Sequence, residues 1–355
     1  MKKHRVAVIG LGGMGIAHLK TLQEYFASEV FVVAGVDPRK KARDMVKREF
    51  GIDETYADVH DLVKRSTFDY AVVATPSDTH YPIVRQLAGH CDAILLEKPL
   101  AHTAADCRKI RTLAKKWRGK FYVDLEARTD RGLAKTKEIV AAGKIGTPRV
   151  AWFKEFRCPF LKKPDRWIQQ QERSGGALVD KCVHYFDLFG WYFDAKPVSV
   201  TATGGRDVVR RLHGAPYTVM DNALASVEYA GSKRATVILC MFIDKPIDGG
   251  SELGIIGEKG MAVYAFEGQA VRWTDASGRV RTYRFKLPDR IAKVSHRGML
   301  YTQHKGILAD LAGKHTDIAG VDAAYWATLT ALAGERSAAT GRLVKLSELH
   351  RKTKG

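Results

Sequence analysis

The stretch VAVIGLGGMG, residues 6–15, decides the fold of this 355-residue chain. Its first four residues are apolar and mostly β-branched, which predicts a short buried strand, and the glycines that follow have the spacing GxGxxG. In a strand–turn–helix unit, Gly10 permits the tight turn, Gly12 lets a pyrophosphate approach the backbone, and Gly15 lets the helix pack closely on the strand. The phosphates of a dinucleotide then lie on the free N–H groups at the helix N-terminus.

An acidic residue in the expected place supports this interpretation. Asp37 follows the second predicted strand, Val30–Val36, about 20 residues beyond the glycines, where a carboxylate accepts the ribose hydroxyls. Its negative charge favours NAD, because it repels the 2′-phosphate of NADP. Arg39 and Lys40 follow closely and can accommodate that phosphate, so NADP stays open as the cofactor. The alternative is a glycine-rich turn followed by an incidental Asp.

Composition limits the class of protein. The chain has 45% hydrophobic and 27% charged residues, which are ordinary values for a globular protein, and its length predicts two domains. No stretch approaches the ~18 apolar residues of a transmembrane helix, and the N-terminal basic residues lead into glycines without a cleavage site, so we expect neither a membrane partner nor a secretory signal. The five cysteines are odd in number and widely spaced, which predicts free thiols and a cytoplasmic location.

The net charge of +19 raises a nucleic-acid hypothesis, since 58 Lys and Arg residues oppose 39 Asp and Glu residues. The densest basic cluster, residues 108–120, has apolar residues at helical spacing, which predicts an amphipathic helix with a basic solvent face. No helix-turn-helix, zinc-finger or single-strand-binding motif accompanies this cluster. We therefore expect no nucleic-acid partner and interpret most of the charge as solvated helix surface.

Residues 1–125 alternate short β-branched runs with helical patterns, which predicts a parallel-sheet domain of the Rossmann dinucleotide-binding type, an α/β architecture. The predicted strands are Arg5–Ile9, Val30–Val36, Tyr70–Ala74, Ala93–Leu96 and Phe121–Val123. The predicted helices are Ile16–Phe26, Arg39–Phe50, Ser77–Gly89 and Thr103–Trp117.

In residues 126–355 the strict alternation of strands and helices ends, and glycine-containing turns separate a series of strands. This pattern predicts a second α/β domain with a largely antiparallel, open sheet. The predicted helices here are Gly132–Ala142, Gly176–Phe193, Tyr301–Ala312 and Ala323–Thr340. The predicted strands are Arg149–Arg157, Val198–Thr203, Ala223–Tyr229, Arg234–Phe242, Leu253–Gly257, Met261–Phe266, Ala270–Thr274 and Val280–Phe285.

Polar residues follow two strands of the first domain at their carboxyl ends, where a parallel sheet forms its ligand crevice. Residues 74–76 end one strand and His80 comes shortly after; an ordinary turn is the alternative for this segment. Glu97, Lys98 and Pro99 end the next strand. Lys98 in the crevice would hold a substrate hydroxyl and lower the pKa of that hydroxyl, whereas a surface lysine is the alternative.

In the second domain, Asp180 and His184 are four residues apart on a predicted helix, so both lie on one face. A carboxylate one turn away orients an imidazole and stabilises its protonated form, which suits a general base. The apolar neighbours of the pair indicate a buried helix, where an ionisable pair is costly unless it is used or well satisfied. Taken alone, such a pair is more often structural.

Together these segments resemble the glucose–fructose oxidoreductase/inositol dehydrogenase (Gfo/Idh/MocA) family. The resemblance extends over nearly the whole chain, through VAVIGLGGMG, AGVDPRKKA, AVVATPSDTH, LLEKPLAHTAAD, GKIGTPR, SGGALVDKCVHYFDL, YTQHKGIL and ERSAATGRLVKL. It implies an N-terminal Rossmann domain that binds NAD or NADP. It also implies a C-terminal α/β domain whose open sheet mediates oligomer contacts, in a homodimer or homotetramer.

The resemblance further implies roles for single residues. His184 would accept the proton, supported by Asp180, while Lys98 orients the reacting hydroxyl and hydride passes to the nicotinamide. No metal is expected, because the lysine polarises the hydroxyl. The implied cofactor contacts are Gly10, Gly12, Gly13, Met14, Gly15, Asp37, Arg39, Ala74, Thr75, Pro76, His80, Glu97 and Lys98. The candidate substrate contacts are Arg128, Arg157, Trp167, Tyr301 and His304.

Two segments depart from the family pattern. After the last strand of the first domain, where the family has a basic segment with Asn or His, this chain reads VDLEARTD and only Arg128 is a plausible match. Lys181 and Cys182 follow Asp180, where the family usually has an apolar residue or Gln. These departures indicate a sub-branch whose substrate the sequence does not name.

The leading functional hypothesis is an NAD(P)-dependent oxidoreductase acting on a secondary hydroxyl of a sugar, sugar acid or cyclitol. The basic loop Lys154–Arg173 favours a carboxylated or phosphorylated substrate if it reaches the pocket, since arginine binds such groups bidentately; a solvated loop is the alternative. An NAD-dependent glycosidase of the same superfamily is the nearest rival. A non-catalytic dinucleotide-binding regulator is less favoured, because Lys98, Asp180 and His184 are all present.

Overall fold

The computed structural model describes residues 3–247 and 250–350, so the end of the predicted second domain, residues 351–355, lies outside the described part. Among these residues no helix has the length and hydropathy needed to cross a bilayer. The strands are β1 His4–Ile9, β2 Val30–Val36, β3 Glu54–Tyr56, β4 Tyr70–Val73, β5 Ala93–Leu96, β6 Lys120–Val123, β7 Pro148–Phe156, β8 Pro197–Gly205, β9 Arg211–Leu212, β10 Ala215–Pro216, β11 Asn222–Tyr229, β12 Lys233–Cys240, β13 Ser251–Gly257, β14 Gly260–Ala265, β15 Ala270–Thr274, β16 Val280–Arg284 and β17 Val344–Lys345. The α-helices are α1 Gly13–Tyr25, α2 Lys40–Phe50, α3 Val59–Arg65, α4 His80–Leu87, α5 Ala104–Lys116, α6 Arg131–Ala141, α7 Gln171–Ser174, α8 Val183–Phe193, α9 Asp289–Ala292, α10 Met299–Leu311, α11 Val321–Thr340 and α12 Leu346–His350.

The chain divides into two compact units. The first contains the residues up to Ala101 together with Ala105–Glu126 and Pro288–Asp322. The second contains His102–Ala104, Ala127–Leu287 and the residues from Ala323 onward.

The first unit is built on a six-stranded sheet with the order β3-β2-β1-β4-β5-β6, in which every neighbouring pair is parallel. This order and the α/β alternation confirm the predicted Rossmann architecture. The sequence pattern misses β3 and α3, because β3 is a three-residue, partly exposed strand at the edge of the sheet and α3 has only seven residues.

The centre of this sheet is buried on both faces. Every residue of β4 and β5 is buried, which explains why both strands are continuous apolar runs without an alternating pattern. On one side, α1 packs Leu19 and Leu22 into a cluster with Val6, Val72 and Leu95 of the sheet. The sheet therefore holds the carboxyl ends of β1, β4 and β5 on a rigid support.

The segment 288–322 corrects the predicted domain division, which assigns it to residues 126–355. Its helix α10 packs Ile307 and Leu308 into the core of the first unit. Next to β6, the backbone N–H of Val123 donates to the carbonyl of Ala319 at 2.9 Å. The chain thus returns to the first unit. No local pattern in the sequence predicts this return.

The second unit is built on a nine-stranded sheet with the order β16-β15-β14-β13-β7-β12-β11-β8-β17. All neighbouring pairs are antiparallel except β7 and β12, which are parallel. Strand β11 alternates buried Ala225 and Val227 with outward Leu224, Ser226 and Glu228, so one face is covered and the other is open. The largely antiparallel, open sheet predicted from the sequence is confirmed.

The predicted helix Gly176–Phe193 has two parts. A π-helical turn, Leu178–Cys182, leads directly into α8. Gly175 and Gly176 precede this turn with φ of +81° and +116°, a backbone region that other residues rarely adopt. Such π-turns occur often at functional sites, and this one contains Asp180.

Candidate active site

The loop between β1 and α1 has the geometry of a phosphate-binding turn. Gly10 has φ of +90°, and a Cβ added there would lie 2.3 Å from the carbonyl oxygen of Ala74. A Cβ on Gly15 would lie 1.7 Å from the carbonyl oxygen of Gly10, so the helix packs against the turn as closely as the motif requires. A Cβ on Gly12 would meet nothing within 4 Å, which leaves open space on the side where a pyrophosphate approaches.

Helix α1 begins at Gly13, and Met14 is its second residue. No side chain of the described residues caps the N-terminus of this helix. Its first N–H groups are therefore available to phosphate oxygens, which the helix dipole favours. These residues fit the dinucleotide predicted from the sequence.

Asp37 directly follows β2 and is almost completely buried. Its Oδ2 accepts a hydrogen bond from the backbone N–H of Leu11 at 2.9 Å. Arg39 donates to the same carboxylate from its backbone N, Nε and Nη2 at 2.8–2.9 Å. Burial acts to raise the pKa of Asp37, but the hydrogen bonds from Arg39 and Leu11 outweigh it, so the pKa lies below its usual value. Asp37 is thus an anion beside the glycine loop, with the half-exposed Arg39 guanidinium against it.

Residues 74–76 follow β4, and His80 connects this segment to the one that follows β5. The Nε2 atom of His80 lies 3.1 Å from the carbonyl oxygen of Thr75, and Nδ1 lies 3.0 Å from that of Pro99. Burial lowers the pKa of His80, and a neutral imidazole donates to only one of these oxygens at a time. His80 has no exposed surface and joins the two crevice segments, and its role as a cofactor contact stays a prediction.

Glu97 directly follows β5 and fixes the backbone of Lys98. Its Oε2 accepts a hydrogen bond from the Lys98 backbone N–H at 3.1 Å, while Oε1 lies 3.1 Å from Nε2 of His18. His18 Nδ1 in turn lies 2.9 Å from Nε2 of His304, and the Tyr70 hydroxyl lies 3.4 Å from Nδ1 of His304. The glutamate of the Glu97–Lys98 segment is therefore the end of a buried chain of polar groups.

Asp124, at the end of β6, adds a second carboxyl to this cluster. Its Oδ2 lies 3.5 Å from Nε2 of His18. Burial acts to raise the pKa of Glu97, but the hydrogen bond from His18 and the positive charges of His18, Lys98 and His296 together outweigh burial, and the pKa falls to about 2. Burial and the neighbouring Glu97 and Glu126 charges raise the pKa of Asp124 well above its ordinary value. Of the two carboxyl groups, Glu97 therefore ionises first as pH rises, and Asp124 keeps its proton to higher pH.

The sequence analysis missed His18 and Asp124 as site residues. His18 follows Gly15 by three positions on the buried face of α1, so a polar residue on an apolar helix face was the available signal. Nothing local in the sequence shows that Asp124 meets Glu97, because they belong to different strands.

The segment 288–322 contributes two of the predicted substrate contacts. His304 is completely buried, and burial followed by the neighbouring His18 charge lowers its pKa well below the usual value. Tyr301 stacks on Phe26 with ring centroids 5.2 Å apart and meets Tyr25 edge-on at 5.5 Å. These contacts explain why both side chains are held in the first unit, and their role as substrate contacts stays a prediction.

In the second unit, the π-turn brings Asp180 close to the start of α8, where His184 lies in the first turn. Asp180 is buried and forms an ion pair with Lys181, with 3.2 Å between Nζ and Oδ2. Lys181 also lies over the ring of Phe160, 5.2 Å from its centroid. His184 is half-buried, and its role as proton acceptor stays a prediction.

The arginines predicted to contact substrate have carboxylate partners. Arg128 donates two hydrogen bonds of 2.7 Å to the buried Asp187 and lies over the ring of Trp191. Arg157 donates to Glu155 at 3.1 Å, and Glu155 also accepts a hydrogen bond from the Tyr185 hydroxyl. Much of the positive charge at these two positions is therefore balanced within the protein.

Trp167 is half-buried in the short 3₁₀ segment Pro164–Gln169 of the basic loop. Arg166, next to it, donates to the carbonyl oxygen of His213 at 2.9 Å. A role of Trp167 in substrate binding stays a prediction.

A parallel sheet in this order, with a glycine turn before α1 and a carboxylate after β2, defines an NAD-binding Rossmann domain. The sequence matches the model of the oxidoreductase family with an NAD-binding Rossmann fold over residues 4–125. It matches the Gfo/Idh/MocA C-terminal domain over residues 133–263. The chain belongs to the Gfo/Idh/MocA oxidoreductase family.

Several curated relatives are inositol dehydrogenases. The chain is 28% identical over 225 residues to scyllo-inositol 2-dehydrogenase (NAD(+)) of Bacillus subtilis (strain 168), a match that covers 63% of this chain and 64% of the relative. It is 26% identical over 276 residues to myo-inositol 2-dehydrogenase of Thermotoga maritima, covering 78% and 74% respectively. The chain thus spans somewhat less than two thirds of the Bacillus protein.

A solved structure agrees in fold over almost the full length. Levoglucosan dehydrogenase in complex with NADH and levoglucosan has a TM-score of 0.83 and 19% identity to this chain, covering 97% of this chain and 100% of that one. At this identity the similarity establishes the fold.

Proposed function

We propose that this protein is an NAD-dependent dehydrogenase that oxidises a secondary hydroxyl of an uncharged polyol, cyclitol or sugar. The observation that carries the proposal is the position of Lys98. Glu97 holds its backbone at the carboxyl end of β5, in the same sheet whose glycine turn and Asp37 fit a dinucleotide. A lysine at that edge is suited to bind the oxygen of a reacting alcohol.

Different side chains carry out the different steps of the reaction. Oxidation of a secondary alcohol removes a proton from oxygen and a hydride from carbon, and NAD⁺ when bound accepts the hydride. Lys98 orients the hydroxyl and stabilises negative charge on its oxygen. His184 accepts the proton, and Asp180 stabilises the imidazolium that results.

The class of substrate follows from the charges and from the relatives. Arg128 and Arg157 are paired with Asp187 and Glu155, so neither offers an uncompensated guanidinium to a carboxylate or phosphate. The Bacillus and Thermotoga relatives are named for inositols, which are uncharged polyols. Their names favour neither a glycosidase nor a non-catalytic regulator. An anionic substrate would need the other basic residues of the loop Lys154–Arg173.

NAD is the proposed cofactor in preference to NADP, because the ionised Asp37 repels a 2′-phosphate. Free cysteines support a cytoplasmic location. The exposed apolar residues Leu224, Ile256 and Val150 on the sheet of the second unit support a homodimer or homotetramer.

Initial-rate assays test the proposal. Purified protein is incubated with NAD⁺ or NADP⁺ and a panel containing myo-inositol, scyllo-inositol, aldoses and uronates, and reduced nicotinamide is followed by absorbance. We expect NAD⁺ reduction with at least one polyol, and a loss of kcat of about 10²–10⁴-fold in both Lys98→Met and His184→Asn. Lys116→Met removes an exposed lysine of the same unit and is the matched control. Unchanged turnover in both active-site variants contradicts the assignment.

A further inference from the structure

Glu335 lies on α11, far along the chain from Asp180 and His184, yet its carboxylate meets the start of the segment that carries them. Its Oε1 accepts a hydrogen bond from the backbone N–H of Leu178 at 2.7 Å. The backbone N–H of Val179 is a second donor to this carboxylate. Leu178 and Val179 are the first residues of the π-turn, so Glu335 satisfies N–H groups that a helix start leaves unpaired.

The same carboxylate also joins the segment before the turn. Gln171 of α7 donates from Nε2 to Oε2 of Glu335 at 3.2 Å and to the carbonyl oxygen of Gly175 at 3.0 Å. A Cβ added to Gly176 would lie 2.2–2.4 Å from the carboxylate atoms of Glu335. The acid therefore occupies the volume of the missing side chain, and α7, the glycine pair and the π-turn all meet at one carboxylate.

A carboxylate at a helix N-terminus is favoured by the helix dipole, and such contacts fix where the first turn begins. The register of a π-turn decides which direction its residues face, because the turn holds one residue more than an α-helical turn. Asp180 is inside this turn and His184 follows in the first turn of α8. Any shift at Leu178 is therefore transmitted to both side chains.

We propose that Glu335 is the positioning residue of the catalytic segment, anchoring the π-turn so that Asp180 and His184 face the substrate. The inference rests on the proposed function for the roles of Asp180 and His184. Glu335 touches neither substrate nor cofactor in this scheme and acts through the backbone of residues 178 and 179.

The charge of Glu335 affects the pKa of two other ionisable groups, Cys182 on the π-turn and Tyr217 before β11. Burial raises the pKa of both groups, so both stay neutral in the neutral range. Burial also raises the pKa of Glu335 itself to about 7, against the hydrogen bonds from Leu178, Gln171 and Val179. The anchor is strongest when Glu335 is ionised, since a carboxylate accepts more hydrogen bonds than a carboxylic acid.

Three variants of the full-length chain separate anchoring from general damage to α11. Glu335→Ala removes both acceptor oxygens, and Glu335→Gln retains one. Ser337→Ala, two residues further on, removes a buried hydroxyl that accepts from Ala202 N and donates to the Arg342 carbonyl, so it perturbs α11 without touching the π-turn.

Hydrogen exchange followed by mass spectrometry measures the anchor without any assumption about activity. In Glu335→Ala we expect the peptide covering residues 176–184 to exchange at least about tenfold faster than in the unaltered protein. Glu335→Gln should restore most of the protection, and Ser337→Ala should leave this peptide unchanged. Equal exchange of the peptide in all four proteins overturns the inference.

Kinetics measure the functional consequence. We expect Glu335→Ala to lower kcat by about 10–100-fold, the scale of a misplacement of about 1 Å, while KM for NAD⁺ changes by less than about threefold. Glu335→Gln should recover most of kcat. A kcat within twofold of the unaltered protein in Glu335→Ala, or an equal loss in Ser337→Ala, contradicts positioning. If the unaltered protein turns over no substrate, the proposed function fails, and the exchange data alone decide the anchor.

Discussion

Glu335→Gln should change the pH dependence of stability in a direction fixed by the structure. Burial is the main cause that raises the pKa of this carboxyl from 4.5 to about 7 in the folded protein. Between these two pH values the folded protein binds more protons at this site than the unfolded chain does, so this site's contribution to the free energy of unfolding falls as pH rises. Glutamine does not titrate, so the variant escapes this loss.

The magnitude follows from the shift. One pKa unit corresponds to about 1.4 kcal/mol, so the shift from 4.5 to about 7 removes up to about 3 kcal/mol of stability once the pH exceeds the folded pKa. The free energy of unfolding of Glu335→Gln minus that of the unaltered protein should therefore increase by about 2–3 kcal/mol between about pH 5 and pH 8.

The assay is urea denaturation at both pH values, followed by tryptophan fluorescence and by circular dichroism to check that the transitions coincide. Glu172→Gln on α7 removes an exposed carboxylate of the same unit and is the matched control, with a difference that should stay flat to within about 0.5 kcal/mol. A Glu335→Gln difference that is the same at both pH values, or that decreases with pH, refutes the reasoning.

Four further substitutions test the first unit. Gly10→Ala places a Cβ 2.3 Å from the Ala74 carbonyl at φ of +90°, so calorimetry should show NAD⁺ affinity reduced at least about tenfold or lost, with circular dichroism reporting whether the fold survives. Arg39→Ala removes the cation beside Asp37, so the NADP⁺ dissociation constant should increase about tenfold relative to that of NAD⁺; an unchanged ratio excludes Arg39 as a determinant. Asp124→Asn places a neutral group of similar shape at a carboxyl whose pKa is raised, so it should cost less than about 1 kcal/mol at pH 7. Glu97→Gln removes the anion that pairs with His18 and should cost more than about 2 kcal/mol. Equal losses of stability on denaturation contradict this order of ionisation.

The sequence predicts the parts of the fold whose signal is local. The turn from Ile9 into α1 depends on Gly10 and Gly15, which leave no room for a side chain, and the apolar runs of β4 and β5 follow from burial on both faces. The β11–β12 hairpin follows from alternation and a glycine turn, and its register places Ala225 opposite Val237. These features do not depend on any distant part of the chain.

Features that depend on distant segments are not predictable in this way. Residues 288–322 belong to the first unit because Ile307 and Leu308 pack into its core. In the sequence these two residues are simply apolar residues of a helix, and they do not indicate which core they join. Glu97 pairs with His18, a residue 79 positions away in the sequence, and Glu335 pairs with Leu178, a residue 157 positions away.

The candidate site shows the same division. The roles of the glycines and Asp37 are predictable because the motif defines them, and the structure shows a turn geometry that fits these roles. Arg128 is a reasonable substrate contact in sequence, but its two hydrogen bonds to Asp187 become visible only in the folded chain. A sequence shows which charges exist, whereas the fold shows which of them are already paired.

Direct observation of hydride transfer is the measurement that tests the central claim. scyllo-Inositol and myo-inositol deuterated at their ring carbons are incubated with the protein and NAD⁺, and the reduced nicotinamide is analysed by mass spectrometry. We predict one deuterium in each molecule of NADH, formed at a rate that Lys98→Met lowers by about 10²-fold or more. NADH without deuterium, or no NADH from these or the other polyols of the panel, contradicts an NAD-dependent polyol dehydrogenase.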